Sequence, residues 1–335
     1  MRYLSKVLLL FFIFISISIS AQIKLKLNLE SGLYNDFSSD DPQSDLLSKV
    51  LGSIEFKEGS GNNAYKLGAK LRPQFLNTDF HSIKYRLDGA FNHKSDNLNL
   101  KANLSYTNYN YQYTASDYSY GLLQFITALD LPVHEQLPVT FLFGYSNYDV
   151  NYVNTINSDI LIFSVLYNKG LTDYSFLSIG AFTQSFNIDS RLNTGDELKS
   201  KGWKYGPQLK LQYMRKFLFN AEYKFLIYNS NHTKYPSYEH NINLVAGTII
   251  NRNISIFLLS EFNFIRTKIK NSSQEDNPIF YTPTQNENEI YLKTSLKLNP
   301  DFSIYSKVGY FRENFYLEEF KLDGISFLIG IEIKR

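Results

Sequence analysis

Lysine and arginine recur at every second or fourth position through much of this sequence: Lys24 and Lys26, Lys66, Lys70 and Arg72, Lys84 and Arg86, Lys293 and Lys297. Lys101, Lys210, Lys224 and Lys307 fall into the same rhythm within their own segments. The residues between them are often apolar, as in Ile23-Lys24-Leu25-Lys26-Leu27. A strand sends alternate side chains to opposite faces, so cations spaced this way share one surface. That surface holds thirteen basic residues against six acids, Glu30, Asp88, Glu222, Glu261, Glu289 and Glu332. Cations lining a narrow polar path raise the local anion concentration and favour anions over cations. The plainer alternative is that these charges pair with acids or simply hydrate a wet wall.

Covalent chemistry has less to work with. There is no cysteine, which excludes disulfides, thiolate metal sites and a lipid-modified N-terminal cysteine. The five histidines (His81, His93, His134, His232 and His240) show no metal-ligand spacing. A barrel phospholipase would need a Ser–His–Asn/Asp set at the outer rim, and an omptin-like protease would need Asp/His pairs around an outer cleft. No motif connects His232 or His240 to such partners. No nucleophile elbow, phosphate loop or dinucleotide fingerprint occurs. The stretch DFSSDDPQSD at 36–45 offers carboxylates, but it lacks the spacing and glycine of a calcium loop and reads as a solvated loop. The expectation is therefore no enzyme, no cofactor and no metal.

The elements that carry the cations are strands. In DGISFLIGIEIK, residues 323–334, Ile325, Phe327, Ile329, Ile331 and Ile333 fall on one face. Ser326, Leu328, Gly330, Glu332 and Lys334 fall on the other. Segments 22–34, 97–107, 118–128, 288–298 and their fellows bring the expected strand number to sixteen, with fourteen as the alternative. Only SDLLSKVL at 44–51 suggests a short helix. Short connections such as 215–216 and 251–252 alternate with long polar ones such as 187–202 and 267–287. This asymmetry, with strands of about ten residues, belongs to transmembrane β-barrels, and closure removes the unpaired edges that lipid cannot satisfy.

The first 21 residues set the compartment. Arg2 and Lys6 precede an apolar run over Val7–Ile19, and Ser20-Ala21 end it, which predicts a cleaved secretory signal over 1–21 and a single barrel domain over 22–335. The remaining chain has 32 basic and 32 acidic residues, a balance that argues against nucleic acid as a partner. No later segment is apolar for long enough to be a transmembrane helix.

On these patterns the whole mature chain resembles the outer-membrane β-barrel proteins of Gram-negative bacteria. Its cysteine-free, Asn/Lys/Ile/Tyr-rich style and Ala21-Gln22 junction are similar to those of Bacteroidota. The resemblance implies an integral outer-membrane location in contact with membrane lipid and lipopolysaccharide. One feature departs from the common pattern: the last strand ends Ile333-Lys334-Arg335 rather than in an aromatic residue.

The stretch SYTNYNYQYTASDYSYG, residues 105–121, has six tyrosines. Tyr106, Tyr118 and Tyr120 are expected in the aromatic girdle at the membrane boundary, with Tyr109, Tyr111 and Tyr113 in the outer loop above it. There they would pack the loop or stack a sugar. Ile279, Phe280 and Tyr281 form an apolar patch in the long loop 267–287 and are a second candidate contact surface.

The expected function is a porin-like channel passing small polar, anion-favoured solutes through a lumen lined by Lys24, Lys26, Lys66, Lys70, Arg72, Lys84, Arg86, Lys101, Lys293 and Lys297. The alternatives are a non-conducting barrel that binds a surface or periplasmic protein or serves secretion, and a hydrophobic-solute transporter similar to the long-chain fatty-acid family. The pattern of strands from Ile23 onward argues against that family's hatch and against a TonB-type plug. Further copies of the chain are a third kind of partner that the sequence leaves open.

Overall fold

The computed structural model describes residues 22–37, 44–76, 80–113, 116–132, 138–151, 155–191, 197–231, 237–266, 287–314 and 321–335. The expected leader over 1–21 lies outside the described residues. Among the described residues all regular structure is strand. The first four are β1 (Gln22–Asp36), β2 (Ser44–Ser60), β3 (Asn63–Leu76) and β4 (Phe80–Ser95). Then come β5 (Leu98–Tyr113), β6 (Ser116–Pro132), β7 (Pro138–Asn151) and β8 (Thr155–Thr172). β9 (Ser175–Arg191), β10 (Glu197–Met214), β11 (Phe217–Ser230) and β12 (Ser237–Ile249) follow. The last are β13 (Ile254–Arg266), β14 (Glu287–Lys297), β15 (Phe302–Asn314) and β16 (Lys321–Lys334).

Each strand pairs antiparallel with its sequence neighbours, and β16 pairs with β1 to give a closed sixteen-stranded barrel. The closing seam runs from Lys26↔Lys334 to Asp36↔Gly324, and backbone bonds between Leu25 and Arg335 extend it. The last strand therefore closes the barrel although its end is not aromatic.

Period two sorts the side chains. Ile23, Leu25, Leu27, Leu29 and Leu33 of β1 point outward and are 37–59 % exposed, whereas Asn28 and Tyr34 on the other face are buried. The register carries this parity around the ring, so that Leu33, Leu46, Phe75, Ile83, Leu104, Phe125, Phe143, Leu161 and Ile179 all lie on the exterior. An apolar exterior of this extent is far larger than a soluble monomer exposes, and it matches the lipid-facing band of a membrane barrel.

Turn chemistry differs between the two ends. At the end where β1 begins and β16 ends, the described connections are tight. Gly61, at φ 56°, starts the Gly61-Asn62 hairpin turn with a backbone conformation that glycine adopts without a Cβ penalty. The Asn251 side chain accepts hydrogen bonds from the N–H groups of Asn253 and Ile254, and Asn299 accepts one from Asp301, fixing two more turns. The opposite end carries the longest connection, 267–286 between β13 and β14.

Two local expectations are corrected. Residues 44–51 open β2 instead of a helix: Leu46 is 61 % exposed outside while its neighbour Leu47 is fully buried inside. The interior at this level is apolar, so adjacent leucines suit opposite faces of one strand. The tyrosine stretch is not an outer loop, because β5 and β6 stay paired from Tyr109↔Tyr120 to Tyr113↔Ser116. A third, smaller shift moves a turn expected at 169–171 to 173–174, beyond an irregularity between Gly170 and Thr172.

Candidate functional site

Strand parity places all ten basic residues expected to line the lumen on the interior face. Lys24 and Lys26 lie on β1, Lys66, Lys70 and Arg72 on β3, Lys84 and Arg86 on β4, Lys101 on β5, and Lys293 and Lys297 on β14. Lys307 on β15 joins them, as do Lys49 and Lys57 on β2, Lys94 on β4 and Lys334 on β16. The described interior acids of the same strands are Glu30, Asp45, Glu55, Asp88, Glu289 and Glu332. The sector from β14 through β16 and β1 to β5 is therefore a cationic wall.

The adjoining sector is different. Among the described interior residues of β6 to β9 there is no lysine or arginine, and Asp130 is the single acid. These strands present Ile126, Leu142, Ile162 and Phe182 together with Gln124, Ser146 and Ser164. Farther along, Lys204, Lys210 and Lys224 return with Glu222 and Glu239.

The register also brings cations directly opposite one another. Lys26↔Lys334, Lys57↔Lys66, Lys70↔Arg86, Arg72↔Lys84 and Lys293↔Lys307 are cross-strand neighbours on one face. Like charges so placed repel and weaken the ladder. Several carboxylates each answer two of them. Glu332 contacts Lys26 at 2.7 Å and Lys334 at 2.5 Å, and Glu55 contacts Lys57 at 3.0 Å and also Lys66. Asp88 lies 3.7 Å from Arg86 and 3.9 Å from Lys70, and Glu222 lies 3.0 Å from both Lys210 and Lys224. Each such group keeps a net positive charge.

Aromatic rings hold other cations. Lys293 Nζ sits 4.0 Å from the Tyr305 ring centre and Lys307 Nζ 4.2 Å from that of Tyr291. Tyr305 donates to Glu30 at 2.8 Å, and Lys307 reaches the same carboxylate at 3.5 Å. The side chains of Lys70, Lys101 and Lys334 stay 49–57 % exposed, so solvent reaches the wall. At the turn end a cavity of about 520 Å³ opens beside Gln22, Lys57, Lys66 and Asn92.

Toward the long-connection end the interior becomes apolar. Tyr34, Leu47, Leu76, Tyr109, Tyr120, Tyr148, Val150, Phe186, Ile188 and Tyr228 are buried there and belong to one cluster. Tyr109 is thus not an outer contact residue. It points inward at 5 % exposure, its ring 5.3 Å from that of Tyr120 and beneath the Lys84 ammonium at 5.7 Å. Tyr120 is likewise interior and not in the girdle, whereas Tyr106 lies outside with its ring 6.3 Å from that of Tyr85. Tyr111 and Tyr113 continue β5 opposite Tyr118 and Ser116. Ile279, Phe280 and Tyr281 lie outside the described residues, as do most of the acidic loop 36–45, His134 and His232. His240 packs on the exterior against Tyr223 and Phe225, with Nδ1 2.8 Å from the Tyr223 hydroxyl.

Sequence reasoning missed the buried Lys204–Glu239 pair, which is 2.6 Å long with side chains 5 % and 0 % exposed. Its partners sit two strands apart, and no spacing along the chain announces such a contact. Lys49 was hidden by the helical look of 44–51. Lys57 and Glu55 do follow the period-two pattern of β2, which was the available signal.

The sequence matches no protein-family model and no curated protein. Among solved structures, CdiB from Acinetobacter baumannii is similar at 9 % identity and a TM-score of 0.48 over 93 % of this chain. The chain spans 60 % of that protein's solved length. The FrpB iron transporter from Neisseria meningitidis is similar at 8 % identity, covering 93 % of this chain and 81 % of that one, with a TM-score of 0.46. The ferric-catecholate import receptor Fiu from E. coli K12, in its closed form, is similar at 9 % identity, covering 94 % and 79 %, with a TM-score of 0.45. At this identity the likeness is one of barrel architecture.

Proposed function

We propose that the protein is an integral outer-membrane channel that passes small polar solutes and prefers anions. The observation that carries this reading is the cationic wall of β14 to β5, where five pairs of cations face one another across the ladder and the described acids offset them only in part. Field lines in a lumen with low-dielectric walls concentrate, so a fixed cation excess enriches anions along the path. The apolar exterior supports the membrane location. The wall selects by charge, and no covalent step is required of it.

The test is the current of the refolded barrel in a planar bilayer and its reversal potential under a salt gradient. A steady conductance preferring chloride over potassium is expected, and Lys66→Glu/Lys70→Glu/Arg72→Glu should diminish or reverse the preference. Cation preference in the unaltered protein would overturn the reading.

A second reading, a non-conducting barrel serving as a surface or assembly component, is favoured by one observation. The buried apolar cluster lines the interior toward the long-connection end. A folded, inserted barrel that carries no current would select it.

A further inference from the structure

One part of the cationic wall is denser than the rest. On adjacent strands β3 and β4, Lys70 faces Arg86 and Arg72 faces Lys84 in consecutive interior rows, which makes a two-by-two block of cations. The Asp88 carboxylate stands in the next row opposite Gly68, 3.7 Å from Arg86 and 3.9 Å from Lys70. Those distances are ion pairs without hydrogen bonds. Glu30 on β1 is engaged by Lys307 at 3.5 Å and by the Tyr305 hydroxyl at 2.8 Å.

One donor beside this block finds no hydrogen-bond acceptor among the described residues: the Gln74 side-chain amide, at the next interior position after Arg72, in a residue only 2 % exposed. The Arg86 Nε–H, by contrast, faces the Asp88 carboxylate oxygen at 3.7 Å. Buried donors are nearly always satisfied, so an orphaned amide next to clustered positive charge points to an acceptor that is itself negative. Repulsion within the rows is relieved by the same ligand. A monovalent halide would offer charge without the several acceptor oxygens that two arginines, two lysines and an amide can engage.

We propose that Lys70, Arg72, Lys84 and Arg86, with the Gln74 amide, form a subsite for a phosphoryl group, taken either as free phosphate or as the headgroup of a phosphate monoester. Arginine forks suit its oxygens, and the lysines add point charge. The proposal rests on the reading of the interior as open to solutes, and it names the class of solute that the wall retains.

The experiment is isothermal titration of the refolded full-length barrel in detergent with sodium phosphate, with glucose 6-phosphate and with sodium acetate. Heat-modifiable gel migration checks that each variant is folded. Phosphate or the monoester should bind at least about tenfold tighter than acetate, the scale of one added charge-assisted hydrogen bond. Whichever of the two phosphoryl ligands binds more tightly identifies the source. Arg72→Gln/Lys84→Gln should weaken phosphoryl binding about tenfold or more, and Gln74→Leu, which changes no charge, should weaken it severalfold. Equal binding of phosphate and acetate, or unaltered phosphate affinity in both variants, overturns the subsite. Phosphate binding by a barrel silent in bilayers would keep the subsite and sink the channel. Anion-selective current with no phosphoryl binding would do the reverse.

Discussion

Asp88 shows how single residues set the character of the wall. Its carboxylate lies between Lys70 and Arg86, which would otherwise oppose each other directly, and Gly68 beside it leaves room: a Cβ there would meet the Asp88 carboxylate oxygen at 2.6 Å. Asp88→Asn should therefore cost about 1 kcal/mol of stability, read as a lowered urea midpoint, and should also shift the reversal potential further toward anions. Gly68→Ala should act in the same direction by displacing the carboxylate. An unchanged reversal potential in both variants would show that Asp88 does not temper the wall. The buried Lys204–Glu239 pair has a different cost structure. Glu239 also accepts from Asn241 at 2.8 Å, and Lys204 lies 5.4 Å from the Tyr228 ring centre. Lys204→Met strands the carboxylate and should destabilise the barrel by about 3–5 kcal/mol, whereas Lys204→Met/Glu239→Leu should recover most of the loss. A double variant as unstable as the single one would mean that the pair stabilises beyond mutual neutralisation.

At the scale of the element, β16 shows what alternation enforces. Leu328 is 1 % exposed inside, and the next residue, Ile329, is 56 % exposed outside. Ile329→Arg near the middle of the strand should cost about 2–4 kcal/mol in a bilayer, while Ile333→Arg at the turn end should cost about 0–1 kcal/mol. Equal costs at the two positions would contradict the placement of the apolar band. Leu328→Ala tests the opposite face, where the removed volume leaves a cavity in the interior cluster and should cost about 2–5 kcal/mol. The β5–β6 hairpin obeys the same rule. Tyr109 and Tyr120 are cross-strand neighbours, so their rings cover one another on the interior side and present no sugar-stacking platform at the mouth.

For the whole molecule, the barrel has two unlike interior sectors. Cations fill β14 to β5, and apolar and small polar side chains fill β6 to β9. Selectivity by fixed charge is screened by mobile ions. The Debye length falls from about 10 Å at 0.1 M salt to about 3 Å at 1 M. The anion-to-cation permeability ratio should therefore fall toward unity across that range. A ratio independent of salt would indicate selection by size or by a dehydrated binding step instead of by the field of the wall.

Strand number, strand parity and the polarity of each face were legible in the chain itself. A period of two in residues such as Ile325 to Ile333 leaves one backbone geometry that segregates the side chains, and uneven connection lengths order the strands into a ring. The same period puts the ten cations expected to line the lumen on one face of their strands. Tertiary structure decided what the cations meet. Whether Lys70 faces Arg86, whether Asp88 answers both, and whether Lys204 finds Glu239 depend on register between strands, and each residue's rhythm along its own strand is silent about register. Tyr109 failed as a loop residue and Tyr120 as a girdle residue because a ring with a polar tip suits both a membrane boundary and a crowded barrel interior. Only their pairing with each other assigned the two to the interior.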